Sequence, residues 1–327
     1  MRPLRFSYII IFLSLTSILI MLFYEIYLLP PKVYREGEVV VIRRNQTASQ
    51  IAHLLKEKGI ISYPKWFVFL AETFGFERRL KRGRYLLKRG ESEIEVLKRL
   101  AKGPSSPIFV TIPEGLTLKE IASLLEREGV VSKDEFLSLA SNHSLLKSLG
   151  IPGMTCEGYL FPDTYDFPLE SDPKRVIIRM VERFFRVYRE LRGNIDSLKE
   201  VVILASLIEK EAKIDSERPI IASVFLNRLK RGLPLECDPT IQYILGKHKK
   251  RITYNDLKIP SPYNTYLHSG LPPGPICSPG RKSLEAALYP EKTRYLYFVA
   301  KGDGSHYFSK TLSEHIRFKR LLKRRLR

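Results

Sequence analysis

The sequence predicts an α+β fold: an N-terminal transmembrane helix, a small βααβ module, and a mixed α/β domain with a buried helix ending in two glutamates. Three observations predict it. Phe6 to Tyr24 carry no charge at all. A strand–helix unit appears first around Thr47 and again around Thr117. A run that is apolar almost all round, Val201 to Ile208, leads directly into Glu209-Lys210-Glu211.

The 327 residues leave room for two domains of ~150 residues each. An apolar fraction of 44% supplies ordinary cores. With 55 Lys and Arg against 35 Asp and Glu, the net charge is +20. Such a balance predicts attraction to a polyanion, whether an anionic wall polymer, a membrane surface or nucleic acid. A solvated, salt-bridge-laced surface accounts for it equally well. Cys156, Cys237 and Cys277 lie far apart without C-x-x-C spacing. That argues against zinc and leaves at least one thiol unpaired within the chain.

The uncharged segment 6–24, FSYIIIFLSLTSILIMLFY, would reach roughly 28 Å as a helix, close to the ~30 Å hydrocarbon core. Arg2 and Arg5 precede it, and Tyr24 and Tyr27 follow at the interface depth that aromatics favour. It exceeds the ~7–15 apolar residues of a signal peptide and lacks a small-residue cleavage site. The expectation is therefore a retained anchor at 6–24, with a cytoplasmic tail over 1–5 and a linker over 25–37. That places the chain in the cytoplasmic (inner) membrane as a single-pass protein, N-terminus inside, with its body periplasmic or otherwise extracytoplasmic.

Pro30-Pro31 ends the anchor, and VVVI (Val39 to Ile42) reads as a strand. Thr47 then opens a helix with Ile51, Ala52, Leu54 and Leu55 on its apolar face, closed by Gly59. FVTIPEGLTLKEIASLLEREGVVS repeats this pattern: Thr117, Ile121-Ala122, Leu124-Leu125, Gly129 and Ser132 match Thr47, Ile51-Ala52, Leu54-Leu55, Gly59 and Ser62. Between the copies, GRYLLKRGESEIEVLKRLAKG reads as a strand and a helix. Residues 38–103 thus form a βααβ module that resembles LysM carbohydrate-binding modules, and 104–327 form the second domain.

In SLKEVVILASLIEKEAKIDSE, a helix apolar on all sides must be buried. Glu209 lies over Ala205 and Ser206 with Lys213 four residues on, an arrangement suited to an exposed Glu–Lys pair. Glu211 lies over Leu207 and Ile208, where cover would desolvate the carboxyl and raise its pKa. A carboxylic acid protonated near pH 7 can protonate a glycosidic oxygen. Helical neighbours alone favour Glu211 but leave both carboxylates open.

The motifs EGYLFPDTY, LASLIEKEA, SERPIIASVFLNRL, LECDPTIQYILG, SPYNTYLHSGLPPGPICSPG and YLYFVAKGDGSHYFSKTLSEH follow one another in this order. Together they resemble the YceG-like (MltG) endolytic murein transglycosylase family, and the resemblance covers essentially the whole chain. It implies that 104–327 is a catalytic domain and that the second Glu of the E-K-E triplet, Glu211, is catalytic. Lytic transglycosylases usually place Ser or Thr after the acid, whereas here Ala212 follows it.

The resemblance further implies a lyase that needs no cofactor and no metal. Glu211 would protonate the MurNAc–GlcNAc β-1,4 oxygen, the substrate's N-acetyl group would stabilise the oxocarbenium, and Glu211 would then deprotonate the C6 hydroxyl that closes to 1,6-anhydroMurNAc. Sugar contacts are expected from Glu157, Tyr159, Asn227, Gln242, Tyr263, Asn264 and Tyr266, since tyrosines offer flat faces with a hydroxyl. LPPGP (271–275) is expected to stiffen a wall of the site. Asp238 is either a helix N-cap or a ligand, and Glu217 is expected to pair with Arg218 or Arg228. His306 and His315 have no carboxylate partner at metal-ligand spacing.

The expected partners are peptidoglycan glycan strands and peptidoglycan synthases, beside which the family ends strand elongation. The rival reading is a non-catalytic, membrane-anchored peptidoglycan-binding scaffold. Nucleic acid is not an expected partner for an exported chain. The basic tail 317–327 reads as an amphipathic helix against anionic lipid or wall polymer, or as a solvated face.

Overall fold

The computed structural model describes residues 12–17, 37–43, 45–88, 91–104, 109–194, 197–247, 249 and 251–325. They form a mixed α/β protein divided into two compact units, Met1–Ile108 with Asp166–Glu170 and Phe109–Tyr165 with Ser171–Arg327.

In the first unit, β1 (Gly37–Ile42) pairs antiparallel with β2 (Gly83–Lys88), in a register that sets Val40 opposite Tyr85. Between them lie α1 (Ala48–Glu57) and α2 (Pro64–Thr73), and α3 (Glu93–Lys102) follows β2. Val40 and Ile42 face the same core as Ile51, Leu55, Phe67, Leu87, Val96 and Leu97. The strand and helix expected from GRYLLKRGESEIEVLKRLAKG correspond to β2 and α3, and α2 is a further helix between α1 and β2.

The second unit opens with the repeat. β3 (Phe109–Thr111) leads into α4 (Leu118–Arg127), and β3 forms a two-stranded sheet with β4 (Thr164–Asp166). Both copies use the same local chemistry. Thr47 caps α1 with Gln50 reaching back, and Thr117 caps α4 with Glu120 reaching back. Gly59 and Gly129 both take left-handed φ, of 67° and 72°, just past the helix end. The next amides, of Ile60 and Val130, then return to the carbonyls of Leu55 and Leu125.

The chain continues through α5 (Lys133–Ala140), α6 (His143–Ser148) and α7 (Pro173–Glu190) to α8 (Leu198–Glu211). Every residue of α8 from Val201 to Ile208 is buried, as its all-round apolarity requires. It packs against α9 (Arg218–Lys230), α10 (Asp238–Leu245) and α11 (Arg281–Leu288). A hairpin of β5 (Tyr297–Ala300) and β6 (His306–Ser309) and the basic helix α12 (Leu312–Arg325) complete the unit. On this last helix Phe318 stacks on Tyr307 and His315 on Tyr297, so one face of the basic tail is packed.

The membrane expectation is corrected. Of the anchor at 6–24 only 12–17 are described, as helix; the tail 1–5 and the linker up to residue 36 lie outside the described residues. Among the described residues no helix is long and apolar enough to cross a membrane. The apolar helix α8 has 14 residues, about 21 Å, short of a ~30 Å core, and it is sheathed by protein. The 18-residue α7 is amphipathic, with arginines along one side. The single-pass inner-membrane location therefore has no support among the described residues.

Candidate active site

Helix α8 ends at Glu211, since Ala212 turns to extended backbone while its amide still bonds the Ile208 carbonyl. The two glutamates at this end meet opposite surroundings. Glu209 is no exposed partner of Lys213. Its carboxylate, 7% exposed, lies 3.3 Å from the Arg218 guanidinium, itself 8% exposed. It also accepts the Gly280 amide at 3.0 Å and the Ser283 hydroxyl at 2.8 Å. The sequence expectation fails here because the partner arrives from α9, beyond the reach of helical spacing.

Among the described residues no cation pairs with Glu211 in this way. Burial pushes its carboxyl up to about 7, and the nearby Asp238 charge adds to the rise. Its position at a helix C-terminus, the negative end of the dipole, acts in the same sense. Opposing these is a hydrogen bond from the Cys237 thiol to Oε1 at 3.2 Å. Glu211 is half-buried, so part of the residue stays open to a substrate.

Cys237 reaches Glu211 because its own backbone is held. Its amide donates to Thr265 Oγ1 at 3.0 Å, and its carbonyl accepts the Thr240 hydroxyl at 2.7 Å. The preceding residue, Glu236, adopts left-handed φ of 53°, uncommon outside glycine, with its side chain bound to Arg228 at 2.5 Å. Asp238, exposed at the first turn of α10, accepts the Tyr266 hydroxyl at 2.5 Å. Cys237 is thus the N-cap residue, and Asp238 lies within the helix with its side chain turned to Tyr266.

The other expected sugar contacts divide sharply. Tyr159 is 1% exposed and packs edge-on against Phe184, which makes it a core residue. Asn264 is fully buried, with its amide donating to the Leu257 and Ile259 carbonyls and its oxygen accepting the Tyr266 amide. Asn227 ties α9 to the Thr293 and Tyr295 carbonyls, and Gln242 bonds Lys249 in both directions to close a turn. The polar groups of Asn264, Asn227 and Gln242 are thus satisfied inside the fold, whereas the Tyr159 hydroxyl is buried with no hydrogen-bond partner among the described residues. Tyr263 is half-buried, its ring 5.1 Å from that of Tyr243. A Cβ at Gly274 would come within 2.8 Å of the Tyr263 hydroxyl, so that glycine makes room for the ring.

Glu157 is buried as well. Both its oxygens accept the Leu118 amide, at 3.0 and 3.1 Å, and Tyr243 donates to it at 3.4 Å. It therefore joins the N-terminus of α4 to α10. Burial pushes its carboxyl up to about 7 despite these donors.

The loop 271–280 is stitched to α8 through Ser206, whose hydroxyl accepts the Ile276 amide at 3.1 Å. Gly158 fits between this loop and α8: a Cβ there would stand 2.5 Å from Pro275 and 2.9 Å from Val202. Glu217 pairs with His306 at 2.7 Å, not with Arg218 or Arg228 as expected. Arg228 instead holds the Pro234 and Leu296 carbonyls and Glu236. All three cysteines are free and buried. A groove lined by Asp163, Arg175, Arg179, Arg183 and Arg186 shares no residue with the Glu211 surroundings. The sequence assigns neither Cys237 nor Arg218 to the surroundings of the two glutamates. The only local signal for Cys237 was its place directly before Asp-Pro-Thr, a helix start.

This geometry places a raised carboxyl at the open end of a buried helix, with no second carboxylate bonded to it among the described residues. The YceG-like family matches residues 40–320, and the chain belongs to that family. It is 37% identical over 297 residues to an endolytic murein transglycosylase of Bacillus subtilis, across 84% of this chain and 81% of the relative. It is 32% identical over 314 residues to an endolytic murein transglycosylase of Streptococcus pneumoniae, across 85% of this chain and 57% of the relative. A crystal structure of a yceG-like protein from Listeria monocytogenes superposes with a TM-score of 0.61 at 36% identity, covering 87% of this chain and 99% of that one.

Two outcomes follow from the electrostatics. Glu209→Gln leaves Arg218 without its buried counter-charge and should lower the unfolding free energy by about 3 kcal/mol; chemical denaturation showing no loss would refute the buried pair. For Glu157, the folded value of about 7 exceeds the ordinary 4.5. The unfolded chain ionises first, so this group's contribution is favourable below about 4.5 and is lost as pH rises to about 7. Between pH 4.5 and 8, Glu157→Gln should therefore gain on wild type by up to about 3 kcal/mol. A difference that stays flat with pH would contradict the raised carboxyl.

Proposed function

We propose that this chain is a lytic murein transglycosylase, a lyase that cleaves peptidoglycan glycan strands internally at the MurNAc–GlcNAc β-1,4 bond and leaves 1,6-anhydroMurNAc ends. The observation that carries the reading is Glu211: a half-buried residue with its carboxyl raised to about 7, at the end of a buried helix in a member of the YceG-like family. The names of the Bacillus and Streptococcus relatives support the substrate and the reaction class.

Glycosidases that admit water generally need two carboxylates flanking the bond. A lytic enzyme needs one group that gives a proton and takes one back. Near pH 7 a carboxyl with a value of about 7 is part protonated and part ionised, which suits both half-reactions. Glu211 first protonates the leaving oxygen. The resulting carboxylate then accepts the C6 hydroxyl proton while that oxygen closes onto C1. The attack is intramolecular and gains from effective molarity. Tyr266, Tyr263 and Asp238 are the residues we assign to sugar contact, because each keeps surface open. The 38–103 module is assigned weak, LysM-like glycan binding, and the cellular role is to end nascent strands beside peptidoglycan synthases.

Glu211→Gln should keep the fold and lose turnover by ~10⁴-fold or more, since acid and base are removed together. Glu209→Gln, assayed below its lowered melting temperature, should keep most activity. Mass spectrometry of anhydro-ended fragments from purified glycan decides between them; an active Glu211→Gln would sink the single-carboxyl reading and favour an inert wall-binding scaffold. Wild-type kcat/KM should fall on the alkaline side near pH 7, where Glu211 loses its proton. Deleting residues 38–103 should cut activity on long strands more than on short oligomers, whereas equal loss on both would mean that the module only supports folding.

A further inference from the structure

Ala212 offers no hydroxyl beside Glu211, yet the carboxyl is not left unsupported. Cys237 lies 26 residues away in sequence and brings its thiol to 3.2 Å from Oε1. We propose that Cys237 is a positioning residue for Glu211: its S–H, donated to Oε1, fixes the carboxyl orientation and leaves Oε2 to exchange the proton with the glycan. This proposal rests on the reading of Glu211 as the acid/base.

Three features support it. The thiol is 1% exposed, and burial together with the Glu211 charge pushes its ionisation well above the ordinary range. It therefore stays protonated and acts as a donor, whichever state Glu211 is in. Its backbone is pinned on both sides, by Thr265 at the amide and Thr240 at the carbonyl, and those two hydroxyls lie 3.0 Å from each other. Finally, the bend that delivers it includes Glu236 in left-handed backbone, a conformation that persists only where surrounding structure holds it. Here Arg228 and the Glu236 amide bond to the Thr265 carbonyl do the holding.

The charges around Glu211 leave the thiol a distinct part. From α10, Asp238 faces the carboxyl and raises it, while its own oxygen takes the Tyr266 hydroxyl. On the remaining sides of the α8 end, Glu209 is paired with Arg218, and Lys210 donates to the Gly115 carbonyl. Cys237 supplies the hydrogen bond that favours the ionised form, against burial and Asp238. In the closing half-reaction it is the ionised form that must be held while it receives the C6 proton.

The test uses the full chain on purified glycan strands, with pH profiles of kcat/KM for wild type, Cys237→Ala, Cys237→Val, Cys237→Ser and Glu211→Gln. Ala and Val remove the donor, and Val also keeps the volume filled. Both should move the alkaline limb up by about 0.5–1 pH unit and lower kcat about tenfold. Cys237→Ser keeps a donor and should return both toward wild type. A cysteine that only fills space would lower the melting temperature without moving the limb, and that result, with Glu211→Gln inactive, overturns the proposal. Turnover by Glu211→Gln would instead overturn the acid/base assignment beneath it.

Discussion

The second unit is organised by the need to bury one helix on all sides. An amphipathic helix needs one neighbour, but α8 has no polar stripe between Val201 and Ile208 and must be wrapped. Helices α9, α10 and α11 supply the wrapping, and the loop 271–280 fills the remaining side through Ser206. Ser206 makes this possible. Its hydroxyl satisfies itself on the Ile203 carbonyl and then accepts the Ile276 amide, so a polar group at 0% exposure carries no desolvation penalty. Where the wrapping stops, the helix stops, and the first carboxyl past the buried stretch that lacks a counter-ion is Glu211.

Two glutamates separated by one residue show how far the surroundings set chemistry. They share a helix end, a dipole and a sequence neighbourhood. Glu209 faces Arg218, the Ser283 hydroxyl and the Gly280 amide, which occupy its oxygens within the fold. Glu211 faces a thiol and another carboxylate, and its ionisation is disfavoured. Gly280 belongs to the Glu209 arrangement alone: its amide donates to Glu209, and a side chain there would collide with the Glu114 carboxylate.

The parts of this fold legible in the sequence were those written in short-range patterns. Thr47 and Thr117, each with a Gln or Glu three residues on, announce capped helices, and the apolar period of each helix names the buried face correctly. The burial of α8 is legible for the same reason. The site residues were harder. Asn264, Asn227 and Gln242 are polar residues of the kind that lines binding surfaces, but each is spent on holding the chain in shape, and Tyr159 is a core ring against Phe184. Residue type alone does not separate a ligand-facing polar group from one satisfied by a carbonyl 66 positions away, as Asn227 is. The Glu209–Arg218 and Cys237–Glu211 contacts had no signature in local spacing, because the turns between α8, α9 and α10 create them.

The bend before α10 then acquires a reason. A non-glycine residue in left-handed backbone is costly, and the chain spends Arg228, Thr240 and Thr265 on holding the segment from Glu236 to Cys237 in place. Had the segment relaxed, Asp238 would lose its setting at the start of α10 and the thiol its line to Glu211. Both effects on the carboxyl, one raising and one lowering, come from consecutive residues of this one segment. Small shifts of a single bend therefore change two opposing influences together. That coupling explains why so much buried hydrogen bonding is concentrated there and not at the more exposed face of Tyr266 and Asp238, where a sugar ring would have to enter and leave.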